Sequence, residues 1–377
     1  MKVPLQKIYF DTKEEKALIN TLRSGWVTQG PKVAEFEKLV GDFVGAKYAI
    51  ATSSATTALS LSLYALGIGP GDEVIVPSLS FIATANSILH VGAKPVFVDI
   101  DPKTYNIDPK KIEVLITNKT EAIIPVDQVG LPTDLEQVLK VARKHKLYVV
   151  EDAACALGSS YKGRKVGSFG DLACFSFHPR KIITTGEGGM ILTNNKTWAD
   201  SLKILRHHGM SISDLKRNKT TKTIFEKYPV IGYNFRMSDL LATVGVEQMK
   251  KLPLFIHKRA QLAKRYHDFF SNSKNISTPF VPENCTHNFQ SYVIRLRKNK
   301  KITRDQLMQK LLDYGISTRI GIMAAHLEKP YRIMYPKLSL LETEKANKET
   351  IAIPIYFSMT KREQDYVISK ILELTRN

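Results

Sequence analysis

The chain has 377 residues, 43% of them hydrophobic, enough to bury a large core in one large and one smaller unit. Its 55 Lys+Arg against 36 Asp+Glu leave a net charge of +19, which suits polyanions or small acidic substrates. The basic residues are spread, with concentrations only at 216–222 and at 295–301 plus Arg304, and no helix-turn-helix, Cys/His finger or RNP pattern accompanies them, so nucleic-acid binding is not expected. Three cysteines, Cys155, Cys174 and Cys285, form no CxxC pair and no disulfide framework, which fits a reducing, cytoplasmic location. Residues 1–7 lack the apolar core of a signal peptide. The most apolar region, 74–98, is broken by Pro77, His90, Lys94 and Pro95, so no membrane span is expected.

Taken in order, the capping-box spacing of Thr12 and Glu15 predicts a short helix that stops at Gly25. A loop of residues 25–31 then carries Trp26 and Thr28, and a second amphipathic helix spans 32–44. From residue 48 short apolar runs alternate with helical patterns. Strands are predicted at 48–51, 73–76, 95–99, 122–126 and 147–150, and helices at 56–66, 82–91 and 134–145. This rhythm predicts an α/β fold with a mostly parallel sheet covered on both faces. Ligands of such sheets sit at the carboxyl ends of the strands.

Apolar runs 172–177 and 190–193 add two strands around a glycine-rich turn. Beyond them come helices at 198–207, 239–252, 254–270, 304–314 and 361–374, with a strand at 290–296. A large domain of 1–252 and a smaller C-terminal α+β domain of 253–377 follow, divided at Pro253. Gly67-Ile68-Gly69-Pro70-Gly71 follows a helix rather than a strand and reads as a helix stop, not a dinucleotide loop. His207 and His208 lack a second ligand cluster at metal spacing, so no metal is expected.

Four features carry chemistry. Ala51 to Ala58 join a strand to a helix through small and hydroxyl residues, so an anion can approach the first-turn N–H groups. Asp152 follows a strand among small residues, where its carboxylate can meet a bound ring. Phe81 follows another strand end and offers a stacking face. Lys181 enters a glycine turn after a buried strand, where a desolvated amine becomes a nucleophile toward carbonyl groups. Each has an ordinary structural reading when taken alone; their order within 135 residues is what a pyridoxal phosphate site requires.

The chain resembles the DegT/DnrJ/EryC1/StrS sugar aminotransferases, fold-type I pyridoxal-phosphate enzymes. The resemblance lies in residues 25–31, 67–74, Glu151-Asp152-Ala153-Ala154, Phe175-Ser176-Phe177-His178-Pro179-Arg180-Lys181, Gly186-Glu187-Gly188-Gly189 and 232–239. It implies that Lys181 carries the cofactor and moves protons, and that Asp152 partners the ring nitrogen. It also implies that Phe81 stacks on the ring and that Ala55, Thr56 and Ser176 hold the phosphate. Asn234 would reach the phosphate of a neighbouring subunit, so the resemblance implies a homodimer with shared active sites. Trp26, Thr28 and His326 are the implied candidates for substrate contact.

Three departures stand out: Ala55 where glycine is usual, Cys155 where a cofactor-contacting glutamine is frequent, and Asp127 where histidine is common. The implied reaction moves an amino group from L-glutamate to a nucleotide-linked keto-sugar. Residues 184–190 resemble those of enzymes that aminate C4 of 4-keto-6-deoxy sugars, such as perosamine synthase. A 3-keto sugar, a keto-octulosonate or a keto-cyclitol are the alternative acceptors, and a basic regulatory or DNA-binding protein is the alternative outside enzymes.

Overall fold

Seven strands form the central sheet of the computed structural model, which describes residues 1–212, 217, 221, 223, 225–297 and 302–376. In chain order they are β1 (Tyr48–Thr52), β2 (Glu73–Pro77), β3 (Lys94–Val98), β4 (Thr120–Ile123), β5 (Tyr148–Asp152), β8 (Leu172–Ser176) and β9 (Gly189–Thr193). Their spatial order is β1-β9-β8-β5-β4-β2-β3. Pairing is parallel from β8 across to β3, while β9 is antiparallel to both its neighbours. The mostly parallel α/β sheet expected from the alternation is therefore present. Two hairpin strands, β6 (Ser160–Tyr161) and β7 (Arg164–Lys165), join β11 (Cys285–Thr286) in a small three-stranded sheet.

Both faces of the central sheet are buried, which is why its strands read as continuous apolar runs. Period-2 alternation divides their side chains. Ile50, Cys174 and Ile191 face one core with helices α3 (Ala55–Ala65), α4 (Ile82–His90) and α6 (Lys196–Leu205). Ala51, Phe175 and Leu192 face the other, under α2 (Pro31–Val44) and a 32-residue helix, α7 (Asp239–Phe270). The first helix, α1 (Thr12–Arg23), packs on α7. Its capping box begins one residue earlier than the spacing predicts. Asp11 accepts the Lys13 N–H at 2.8 Å, and the Asp11 N–H donates to Glu14 at 3.0 Å.

Pro253 does not break the helix there, contrary to the two separate helices predicted, and α7 runs through it. Its ring lies on the exposed side, while Leu252 and Phe255 on either side are buried in the core and hold the helix together. The cut expected at 253 thus falls inside one helix. Beyond it, β10 (Ile276–Ser277), β12 (Tyr292–Leu296), β13 (Arg319–Ile320) and β14 (Thr350–Ile353) form a four-stranded antiparallel sheet. The N-terminus joins this second unit: the Val3 N–H donates to the Gly315 carbonyl at 2.8 Å, and the Ile355 N–H to the Leu5 carbonyl at 3.2 Å. Among the described residues no helix is long and apolar enough to cross a membrane. Of the two basic concentrations, Lys216, Lys219, Lys222 and residues 298–301 lie outside the described residues.

Candidate active site

A cavity of about 450 Å³ opens where the carboxyl ends of the parallel strands meet β13 and β14 of the second unit. Ala55, Thr56, Phe81, Asp152, Cys155, Ser176 and Lys181 all line it. Up to 126 residues apart along the chain, they converge because β1, β2, β5 and β8 end at the same edge of the sheet.

Each side chain is set by local structure. Ser54 caps α3: its hydroxyl accepts the Thr57 N–H at 3.1 Å, and the Thr57 hydroxyl accepts the Ser54 N–H at 3.1 Å. The next two N–H groups, of Ala55 and Thr56, have no acceptor among the described residues and open on the cavity. Beneath them passes Gly189. A Cβ there would stand 2.3 Å from the Ser54 carbonyl oxygen and 2.7 Å from the Ala55 nitrogen, so glycine lets β9 run directly under the helix start. The small-residue reading of residues 51–58 anticipated the open N–H groups but not this glycine's part in placing them.

Asp152 is buried at the end of β5. The Thr84 hydroxyl donates to its Oδ2 at 2.8 Å and the Ala154 N–H to its Oδ1 at 3.2 Å. Burial raises its pKa above the ordinary carboxylate value, against the opposing pull of these two donors and of Lys181. Lys181 follows β8 through a turn closed by its N–H to the His178 carbonyl at 2.8 Å, and Gln6 donates to its carbonyl at 3.0 Å. Its Nζ reaches Cys155 Sγ at 3.0 Å. Phe81 is the residue before α4 and stands 57% exposed at the cavity.

Asn234, Trp26, Thr28 and His326 stand outside this lining in the single chain. Asn234 is exposed, accepting the Arg236 Nε–H at 3.1 Å. The Trp26 ring lies over Gly30, where a Cβ would come within 2.6 Å of it. Thr28 is exposed, with its carbonyl accepting the Asp239 N–H at 2.8 Å. His326 is buried, with Nδ1 2.6 Å from the Ser78 hydroxyl and Nε2 3.5 Å from Glu344, and burial lowers its pKa. In this chain it ties the loop before Phe81 to the helix at Leu341–Glu349 rather than meeting the cavity.

Several lining residues escaped the sequence reading. Gln128 donates to the Leu79 carbonyl and steadies the Phe81 loop. Arg180 and Arg319 bring guanidinium groups with no acidic partner among the described residues. Among the described residues no group of three or more His, Cys, Asp or Glu is placed to hold an ion.

Open N–H donors at a helix start, a buried carboxylate that feels the charge of Lys181, an exposed aromatic face and one amine make a donor set that fits a phosphate-bearing pyridine. The comparisons agree. Spore coat polysaccharide biosynthesis protein SpsC of Bacillus subtilis is 40% identical over 369 residues, 97% of this chain and 95% of its own length. GDP-perosamine synthase of Caulobacter vibrioides is 39% identical over 363 residues, 96% of this chain and 95% of its own. Among solved structures, Helicobacter pylori PseC, an aminotransferase involved in the biosynthesis of pseudoaminic acid, superposes with a TM-score of 0.92 at 29% identity, covering 100% of this chain and 99% of that one. NtdA of Bacillus subtilis with bound cofactor PMP gives 0.86 at 34% identity, covering 98% of this chain and 83% of that one. The profile of the DegT/DnrJ/EryC1/StrS aminotransferase family matches residues 9–372, and the chain belongs to that family as a pyridoxal-phosphate-dependent aminotransferase of fold-type I.

Proposed function

We propose that the chain transfers an amino group from L-glutamate to a nucleotide-linked keto-sugar, at C4 of a 4-keto-6-deoxyhexose, for surface polysaccharide or amino-sugar biosynthesis. The observation that carries this reading is the convergence of Lys181, Asp152 and the open N–H groups of Ala55 and Thr56 on one cavity. Relatives named for polysaccharide biosynthesis and perosamine synthesis support the sugar.

When bound, pyridoxal phosphate carries the amino group between donor and acceptor and lends an electron-accepting ring. The chain's residues supply the rest. The Ala55 and Thr56 N–H groups and the Ser176 hydroxyl hold the phosphate, reinforced by the α3 dipole. The Asp152 carboxylate holds the proton on the ring nitrogen, and its own burial strengthens that interaction. Phe81 covers one ring face, and Cys155 stands beside the amine. Lys181 Nζ gives and takes the protons at the reacting carbon. Arg180 and Arg319 attract the carboxylates of glutamate and the diphosphate of the sugar.

Loop residues 184–190 largely close on themselves: the Thr184 hydroxyl donates to the Phe177 carbonyl at 2.8 Å, and the Thr185 hydroxyl to the Glu187 carbonyl at 2.6 Å. Glu187 alone of them lines the cavity, so any influence of this loop on the aminated carbon runs through it. A second copy completing each site accounts for exposed Asn234 together with Val27, Val230 and Ile231.

Incubating the purified protein with pyridoxal phosphate, L-glutamate and a panel of nucleotide keto-sugars tests the reading. Mass spectrometry of the products should show a 4-amino sugar and 2-oxoglutarate. Amination at C3, or of a keto-octulosonate or keto-cyclitol alone, would redirect the substrate; no amination of any nucleotide sugar would overturn it.

A further inference from the structure

Behind Asp152 the sheet buries two more carboxyl groups, Asp127 and Glu151, with 1% and 0% exposure. Neither belongs to the cavity lining. Both are tied to Asp152 by the backbone: Glu151 precedes it on β5, and the Asp127 N–H donates to the Asp152 carbonyl at 3.1 Å. One oxygen of each is satisfied. Asp127 Oδ1 accepts the Thr133 N–H at 2.7 Å, and Glu151 Oε1 accepts the Gly167 N–H at 2.8 Å. The other two, Asp127 Oδ2 and Glu151 Oε2, are fully buried and receive a hydrogen bond from no donor of the described residues.

Two such oxygens are costly to leave bare, and more so where the group is charged. Each side chain acts on the other, and a single proton held between the two bare oxygens would satisfy both. Among the described residues no cation acts on either carboxyl to do the same work. The titratable groups that act on or feel the pair among the described residues are Asp152, Cys174 on β8 and Cys285 on β11, all acidic types. Lys181 acts on Asp152 from the cavity side.

We propose that Asp127 and Glu151 share one proton and form a positioning pair behind Asp152, so that the cluster carries two negative charges rather than three and Asp152 keeps one of them. The proton resides on Asp127, which donates to Glu151. Glu151 is the better anion of the two because the N–H groups of Gly167, Phe169 and Gly170 converge on it, whereas burial and the neighbouring Glu151 and Asp152 charges push Asp127 well above the ordinary carboxylate range. Beside the pair, a parallel backbone bridge between Val126 and Asp152 joins the segment after β4 to the end of β5 from which Asp152 projects. The inference concerns the chain's own carboxyl groups and stands apart from the identity of the sugar.

Infrared spectroscopy of the full-length holoenzyme at neutral pH should show the carbonyl stretch of one protonated carboxyl group. Asp127→Asn should remove it, with the amide donating to Glu151 in the proton's place. Glu151→Gln should remove it as well, because the glutamine amide then donates and Asp127 ionises; this second variant serves if the first does not fold. Stability against pH gives an independent readout. Above the unfolded carboxylate pKa of about 3.9 the native wild type holds a proton that the unfolded chain has lost, so its stability falls as pH rises. The folded-to-unfolded ratio of wild type relative to Asp127→Asn should therefore drop about tenfold per pH unit until Asp127 ionises in the native state. Absence of the protonated band in wild type, or parallel pH curves for wild type and Asp127→Asn, overturns the proposal.

Discussion

Asp99 and the cluster of Asp127, Glu151 and Asp152 occupy equivalent places, just inside or beyond the carboxyl ends of parallel strands of one sheet, yet their carboxyl groups shift in opposite directions. Asp99 follows β3 and accepts N–H groups from Ile100, Glu342 and Thr343 at 3.0, 3.2 and 2.8 Å, the Thr343 hydroxyl at 2.8 Å, and the Lys111 ammonium at 3.2 Å. Burial pushes its pKa up, but these donors outweigh burial and hold it below the ordinary value. In the cluster, burial meets fewer donors and wins. Depth and the number of converging donors together separate a carboxylate that latches two units from carboxyls left underfilled beside a cavity.

That contrast can be broken at either end. The largest effect lies at the cavity: Lys181→Ala should lower amination at least about a thousandfold and abolish the visible absorbance of the lysine-bound cofactor, while the thermal melt stays close to wild type. Asp152→Asn keeps an acceptor for Thr84 but removes the charge. Steady-state kinetics should show kcat down about 10²- to 10³-fold with little loss of stability.

Asp99→Ala should do the reverse. It strands the Thr343 and Lys111 donors and should lower stability by about 3 kcal/mol in urea melts, with near-normal kcat below the melting range. Acid sharpens the difference. Because the folded pKa of Asp99 is depressed, its contribution is complete above the unfolded value of about 3.9 and disappears as pH falls through the folded value, so Asp99→Asn should flatten the acid limb of a stability curve. The smallest effect is expected of Thr84→Val, which removes one donor from Asp152. Activity should fall less than about tenfold, and the acidic limb of the kcat profile should move to higher pH because the Asp152 carboxyl is left easier to protonate.

Much of the scaffold is legible from periodicity. The apolar runs that predict β1, β2, β5, β8 and β9 recur as strands shifted by a residue or two, since full burial on both faces leaves an unambiguous local signature. Pro253 misleads because its local preference to end a helix is overridden by the packing of Leu252 and Phe255 on either side of it. At the site, the lysine, aspartate, phenylalanine and helix start are visible because each needs a special local setting, a glycine turn, a strand end or a cap. His326 shows the limit: a motif match says where a histidine falls in the chain, not that Ser78, 248 residues away, will bury it.

The order of residues alone thus settled the α/β alternation and the strand ends, because these depend on neighbours within a few positions. Folding decided what lies between distant segments. Thr84 meets Asp152 across 68 residues, Cys155 meets Lys181 across 26, and Asp127 comes to face Glu151 only because β4 and β5 pair in parallel register. Protonation in that cluster is a property of burial and donor count, and both exist only once the sheet has closed around it.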